Sequence, residues 1–251
     1  MAARPTISAI LISKNEEENI AECFATLNFC DEIIVVDCGS SDRTVEIARD
    51  LGASVHVNAD WPGFGVQKQR ALDLATCDWA LSVDADERIP DGLRREIETA
   101  VADSRYCGYR LNRLSWFLGQ PMRHGGWYPD RIVRLAQRKK AHFTPVVVHE
   151  ALLVEGEIGQ LRESMIHYSY RTIDEVMRKM HQYALATAEA RRRDGRAGGL
   201  FVAITRSLFS FFKAYVLRAG LLDGKRGFVA AVAGAQQTFW RYLATGWEKS
   251  G

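Results

Sequence analysis

Two observations predict an α/β fold built on a mostly parallel, Rossmann-like sheet. Short apolar runs alternate with helix-period segments over the first hundred residues, and the second and fourth of those runs end in acidic turns. A third observation, amphipathic helical spacing with many basic residues after Thr172, predicts a helical C-terminal appendage.

The elements follow in order. Thr6 to Ile12 reads as a buried strand, and Asn15 followed by Glu16, Glu17 and Glu18 reads as a helix N-terminus with acids on the positive end of its dipole. Ile20, Cys23, Phe24 and Leu27 then share one helical face. Ile33 to Val36 is a second strand, and a helix opening near Ser41 carries Val45, Ala48 and Leu51 and stops at Gly52. A third strand, Ser54 to Val57, precedes the turn-rich Trp61 to Gly65, a helix from Val66 to Ala75 and a fourth strand, Trp79 to Val83. After Pro90 a helix runs from Asp91 to Val101. Short strands are then expected at Tyr109 to Leu111, Ile132 to Leu135 and Val146 to Val148, joined by loops carrying Trp116, Phe117, Trp127 and Tyr128. Those rings either face a sugar or pack the core. Thr172-Ile173-Asp174-Glu175 is a capping-box pattern. Leu200 to Leu222 is apolar but interrupted by Arg206, Lys213 and Arg218, which favours a helix lying in a membrane interface over one that spans. The same pattern suits a helix packed on its own domain or on a second copy. Two regions are expected: residues 1–170, a catalytic domain, and residues 171–251, a basic helical region that associates with a membrane or dimerises.

Composition narrows the function classes. At 251 residues, 47% hydrophobic and 25% charged, the chain has the make-up of an ordinary globular protein. Five cysteines with no Cys-x-x-Cys spacing argue against a disulfide framework or a structural zinc site, so a cytoplasmic setting is expected. Ile7 to Ile12 is too short for a signal peptide or a span. The net charge of +2 hides an asymmetry: residues 171–251 carry +8 and the remainder −6. A basic, apolar tail suits the inner, anionic face of the cytoplasmic membrane, whereas an acidic front half needs cations to receive a nucleotide.

Asp84-Ala85-Asp86-Glu87 closes the fourth strand and Asp37-Cys38-Gly39-Ser40-Ser41-Asp42 closes the second. Ligands of open α/β sheets bind outside the carboxyl ends of the strands, and an oxygen-rich site with few ligands suits Mg²⁺ or Mn²⁺ bridging phosphates. A nucleotide-diphosphate site is therefore expected. Asp86, helped by Asp84, is the candidate metal ligand, Asp37 the acceptor for a base or ribose, and Ser13, Lys14, Asn15 and Glu16 line the rim beside it. Lys68 and Arg70 supply positive charge to phosphate. For the general base that takes the acceptor proton, Glu150 is preferred because it follows a strand-like run and sits beside His149, itself a candidate metal ligand or acceptor-orienting group. Asp130 is the competing base. Each has a structural alternative: Glu150 pairs with an arginine such as Arg131 or Arg134, and Asp130 caps a turn.

With these residues in view, the chain resembles the inverting glycosyltransferases of family 2, which have the GT-A fold. The matching segments are Ser13-Lys14-Asn15-Glu16-Glu17, Asp37-x-Gly39-Ser40-x-Asp42, Gln67-Lys68-Gln69-Arg70-Ala71 and Asp84-Ala85-Asp86-Glu87. Tyr128-Pro129-Asp130-Arg131 with Arg134-Leu135, Val148-His149-Glu150, Phe212-Lys213-Ala214-Tyr215 and Leu222-Asp223-Gly224 make it similar to bacterial lipopolysaccharide core β-glucosyltransferases. The resemblance implies a UDP-glucose donor, Mg²⁺ or Mn²⁺, and a lipid-linked saccharide acceptor, with no nucleic-acid partner. A Glu-Asp base motif followed by a Gln-x-x-Arg-Trp-like segment, frequent in the wider family, has no counterpart here, so the base role falls to Glu150 by position only. Three rivals remain at this point. A polyprenyl-phosphate sugar transferase shares the front half, a nucleotidyltransferase would want a Gly-rich basic loop after the first strand, and a silent sugar- or partner-binding scaffold would not need intact acidic turns.

Overall fold

The computed structural model describes residues 4–103, 105–145 and 150–247. The chain divides into two compact units: Met1–Arg113 with Asp130–His167, and Leu114–Pro129 with Tyr168–Gly251.

In the first unit β1 (Ile7–Ser13), α1 (Ile20–Ala25), β2 (Glu32–Asp37), α2 (Thr44–Asp50), β3 (Ser54–Val57), α3 (Phe64–Leu74) and β4 (Trp79–Ser82) follow the expected alternation. Next come β5 (Glu87–Arg88), α4 (Asp91–Ala100) and β6 (Gly108–Phe117), whose last residues, like those of β11, belong to the second unit. β7 (Gln120–Pro121) lies in the second unit, and β8 (Asp130–Gln137), β9 (Ala141–Phe143), β10 (Leu152–Val154) and β11 (Ile158–Tyr170) complete the strands among the described residues. The sheet order is β3-β2-β1-β4-β8-β6-β11-β5. β3, β2, β1 and β4 are parallel, and β8 turns the direction by pairing antiparallel with both β4 and β6. The fold is mixed α/β, with the expected parallel half continued by an antiparallel half.

Alternation along β1 explains the layers. Ile7, Ala9 and Leu11 join Trp79 and Leu81 against Ile20, Phe24, Leu93 and Ile97, while Ile10 joins Ile34, Val36 and Ala80 against Ala71, Leu72 and Ala75 of α3. Both faces of the central strands are dry. Burying each such aliphatic side chain contributes about 1.5–3 kcal/mol, so the register that aligns Ser13 with Asp37 is strongly held.

One expected element begins later than its residue types suggest. The helix expected from Asn15 starts at Ile20, because Asn15 adopts a left-handed φ of 56°. Its side-chain oxygen accepts from Ser41 N at 2.8 Å, and Glu17 accepts from Arg43 N at 3.0 Å. These polar side chains hold the β2–α2 turn instead of capping a helix. The strand expected at Val146 to Val148 lies outside the described residues.

In the second unit, β6 and β7 form a tight hairpin through Leu118 and Gly119, both at positive φ (51° and 78°), which is the two-residue turn whose twist suits a hairpin. α5 (Ile173–Arg193) begins with the capping box the sequence promised: Thr172 Oγ1 accepts from Glu175 N at 3.2 Å. α6 (Leu200–Phe212) runs into a wide π turn at Lys213–Leu217, and α7 (Gly224–Trp247) follows a short 3-10 turn. Leu200–Leu217 is long and apolar enough, by length and composition, to cross a membrane, and only 6% of it is buried.

Candidate active site at the strand tips

Because β2 and β4 flank β1 in parallel, both acidic turns emerge at one sheet edge. Consecutive residues of α3 reach them both. Gln67 Nε2 donates to the Asp60 carbonyl at 2.8 Å and lies 3.4 Å from Cys38 Sγ, while Lys68 Nζ meets Asp84 Oδ1 at 3.0 Å.

Asp37 departs from expectation. It is fully buried and spends its carboxylate on the turn: Oδ1 accepts from Gly39 N (3.0 Å) and Ser40 N (2.8 Å), Oδ2 from Ser13 Oγ (2.9 Å) and Ser40 Oγ (2.5 Å). Asp37, expected to accept from a base or ribose, here shapes the turn. Gly39, at φ 80°, supplies the conformation that brings two successive N–H groups onto one oxygen. Of the rim residues, Ser13 is buried and bonded to Asp37, Asn15 bridges to the 40–41 turn, Glu16 N donates to Thr44 Oγ1 at 2.7 Å, and Lys14 is exposed. Arg70 turns toward Asp60 (3.0 Å) and Gln67 Oε1 (2.8 Å), whereas Lys68 turns to the acidic turn, so the pair expected to act together divides between two ends of the edge.

Asp84 is held between two cations. Lys68 takes Oδ1 and Arg134 Nη2 takes Oδ2 at 2.6 Å, so Asp84, expected to help hold a metal, is the counter-ion of both cations. Although 29% of its side chain meets solvent, burial works to raise its pKa. The charges of Arg134 and Lys68 outweigh that and hold the carboxyl well below the usual carboxylate range. Glu87 behaves oppositely. It is fully buried, accepts from Asp84 N at 2.8 Å and from Arg134 at 2.9 Å, and burial pushes its pKa up despite the Arg134 charge.

Asp86 stands apart from this network, with His167 Nε2 3.3 Å from its Oδ2. Glu150 sits in the loop between β9 and β10, whose base Thr144 closes by donating to the Ala151 carbonyl and accepting from Ala151 N at 2.9 Å. Its Oε1 meets Lys68 Nζ at 2.8 Å, so the structural partner of Glu150 is a lysine and not Arg131 or Arg134. Lys68 thereby joins the candidate base to the acidic turn. Asp130 opens β8 and pairs with Arg113 at 2.7 Å. His149 lies outside the described residues.

Sequence reasoning missed the roles of Arg134, Glu87, Arg113 and His167. Arg134 stood within a family-like segment and was weighed only as a partner of Glu150, and Glu87 stood within the acidic cluster. His167 lies on β11, a half-exposed strand with no long apolar run to signal it.

The family model described as Glycosyl transferase family 2 matches residues 8–153. A glycosyltransferase of Rickettsia felis is 33% identical over 248 residues, covering 94% of this chain and 87% of that protein. The lipopolysaccharide core biosynthesis glycosyltransferase LpsC of Rhizobium meliloti is 28% identical over 256 residues, covering 95% of this chain and 91% of that one. Among solved structures, the glucosyl-3-phosphoglycerate synthase of Mycobacterium tuberculosis, in complex with Mn²⁺, UDP and phosphoglyceric acid, matches with TM-score 0.47 and 20% identity. That match covers 69% of this chain and 74% of that one.

Proposed function

Since the chain belongs to glycosyl transferase family 2, we propose that it moves glucose from UDP-glucose, with inversion, to a hydroxyl of a lipid-linked saccharide, the lipopolysaccharide inner core. The single observation that carries the reading is Lys68, bridging the acidic turn and Glu150 within 3.0 Å of each. The full-length likeness to LpsC supports the choice of acceptor.

The residues fit a divalent ion of the Mg²⁺ or Mn²⁺ kind. Among the described residues no three His, Cys, Asp or Glu side chains converge, but such ions are held by one or two carboxylates together with substrate phosphates and water. Asp86, not bound to a lysine or arginine, is the carboxylate available for that, with His149 as a further ligand. When bound, the ion acts as a Lewis acid on the leaving diphosphate.

The chain's own residues do the rest. The turn held by Asp37, with Ser13, Asn15 and Glu16 beside it, receives the nucleoside, and Lys68 faces its phosphates. Phosphate competes for the Lys68 ammonium, which frees Glu150 from its ion pair at the moment a base is needed. The acceptor oxygen attacks the anomeric carbon, its proton passes to Glu150, and the bond from that carbon to the diphosphate oxygen breaks. Asp130 is the second candidate for this proton. Peripheral binding of α6 to the inner face of the cytoplasmic membrane brings the acceptor within reach: Phe201, Leu208 and Phe209 are exposed, while Arg206 and Lys213 within the same stretch favour the interface over a span. Pairing of two copies through these helices is the competing use of that face.

The test is a thermal-shift screen of nucleotide sugars with and without Mg²⁺ or Mn²⁺. UDP-glucose stabilises the protein by mass action only when metal is present, and Asp86→Asn removes the metal-dependent part. Equal stabilisation in EDTA would sink the metal part, and no response to any UDP-sugar the donor part.

A further inference from the structure

The second unit contains a cavity of about 340 Å³ unrelated to the strand tips, lined among others by Phe117, Trp127, Tyr170, Lys213, Arg218 and Gln237. That volume is at the small end of ligand sites. Three of its walls are aromatic. Phe117, almost fully buried, has its ring centroid 5.6 Å from those of both Trp127 and Tyr170, and the latter two are 6.1 Å apart. Two cations stand at the mouth. Lys213 opens the π turn, a wide turn of the kind that recurs at functional sites, and Arg218 ends it. Both are exposed, and neither pairs with a carboxylate among the described residues.

The lip of the cavity is built rather than loose. Asp223, 5% exposed, accepts from the main-chain N–H of His124 at 2.9 Å and lies 2.8 Å from its Nδ1. The following Gly125 donates to the Arg218 carbonyl at 2.8 Å. Gly126, at φ 90°, lets the Arg218 guanidinium lie where a β-carbon would stand, 2.3 Å from Nη1. The Asp223 carboxylate is thus spent holding the loop that shapes the cavity.

Aromatic faces receive the C–H face of a sugar ring, and two uncompensated cations receive a phosphate or carboxylate on it. We propose that this cavity binds the anionic saccharide part of the acceptor, with the ring against Trp127, its acidic group on Lys213 and Arg218, and a hydroxyl on Gln237. The assignment rests on the reading of the chain as a transferase with a lipid-linked acceptor.

Calorimetry on the full chain tests it with glucose 6-phosphate, glucose and inorganic phosphate, each repeated in saturating UDP and Mg²⁺. Glucose 6-phosphate is expected to bind at least about tenfold more tightly than either of the other two, with no displacement by UDP. The pair Lys213→Gln and Arg218→Gln weakens it by at least about tenfold. Because Arg218 packs on Gly126, Lys213→Gln alone, at an exposed position, provides the variant whose melting temperature stays at the wild-type value. Displacement by UDP, equal affinity for phosphate alone, indifference to both variants, or no heat with any probe would each overturn the proposal. If glucose 6-phosphate binds as expected but no UDP-sugar does, the donor reading falls and the cavity assignment stands.

Discussion

In the first unit Lys68, Arg134 and Arg113 each meet a carboxylate at 2.6–2.8 Å, whereas Lys213 and Arg218 in the second unit face a cavity with no carboxylate partner among the described residues. The contrast separates two ways of preparing for an anion. A neutralised edge keeps its geometry without ligand, and on the proposed reading a diphosphate that draws Lys68 from its pairs couples binding to the release of Glu150. An uncompensated mouth draws anions directly and is correspondingly sensitive to salt.

The sharpest test of the coupled edge is Glu150→Gln. It is expected to lower kcat by about 10²- to 10⁴-fold, the range for a lost general base, while UDP-sugar affinity holds or improves because Lys68 is no longer shared. Asp130→Asn, in the Arg113 pair, is expected to leave kcat within about tenfold. Steady-state kinetics on both variants decide between the bases. Near-normal turnover in both would favour phosphate as the acceptor nucleophile, the polyprenyl-phosphate alternative.

A smaller effect tests the neutralisation itself. Asp84→Asn is expected to cost about 2 kcal/mol of folding stability, roughly thirtyfold in the folded-to-unfolded ratio. That is short of the about 3–5 kcal/mol seen when a buried partner is left alone, because Lys68 keeps Glu150 and Arg134 keeps Glu87. The sign with pH is fixed. The folded Asp84 pKa lies below its unfolded value of about 3.9, so its contribution is present above that value and fades as pH falls through the folded one. Urea melts at a series of pH values should show wild type and variant converging only in strong acid; convergence at neutral pH would break the comparison.

The smallest effect belongs to the second unit. Cosedimentation with anionic vesicles is expected to weaken about tenfold when Phe201 and Leu208, both exposed, become Asp, and to weaken further with salt. Unchanged sedimentation together with a concentration-dependent dimer by ultracentrifugation would move this face to pairing of two copies.

Much of the architecture was legible because fully buried parallel strands announce themselves: β4, buried at every position, was read at Trp79 to Val83, and the capping box at Thr172 marked the start of α5. β11 was not legible. Its 13 residues alternate buried positions with Arg162, Glu163 and Ser164, a half-exposed pattern without an apolar run. α7 was missed as well, since Ala and Gly give its 24 residues no marked apolar stripe. At the site, the acidic turns and Lys68 were named beforehand, but the partners of Glu150 and Asp84 were not.

The sequence by itself determined the order of strands and helices, the two acidic turns and the family, because periodicity and local motifs are properties of neighbouring residues. Only the tertiary structure decided that Asp37 faces inward, that Lys68 joins Asp84 to Glu150 across 66 positions of chain, and that Arg134 takes the other oxygen of Asp84. Charge partners are chosen by distance in the folded molecule and by the cost of burying a charge alone, and neither quantity is written in the spacing of residues along the chain.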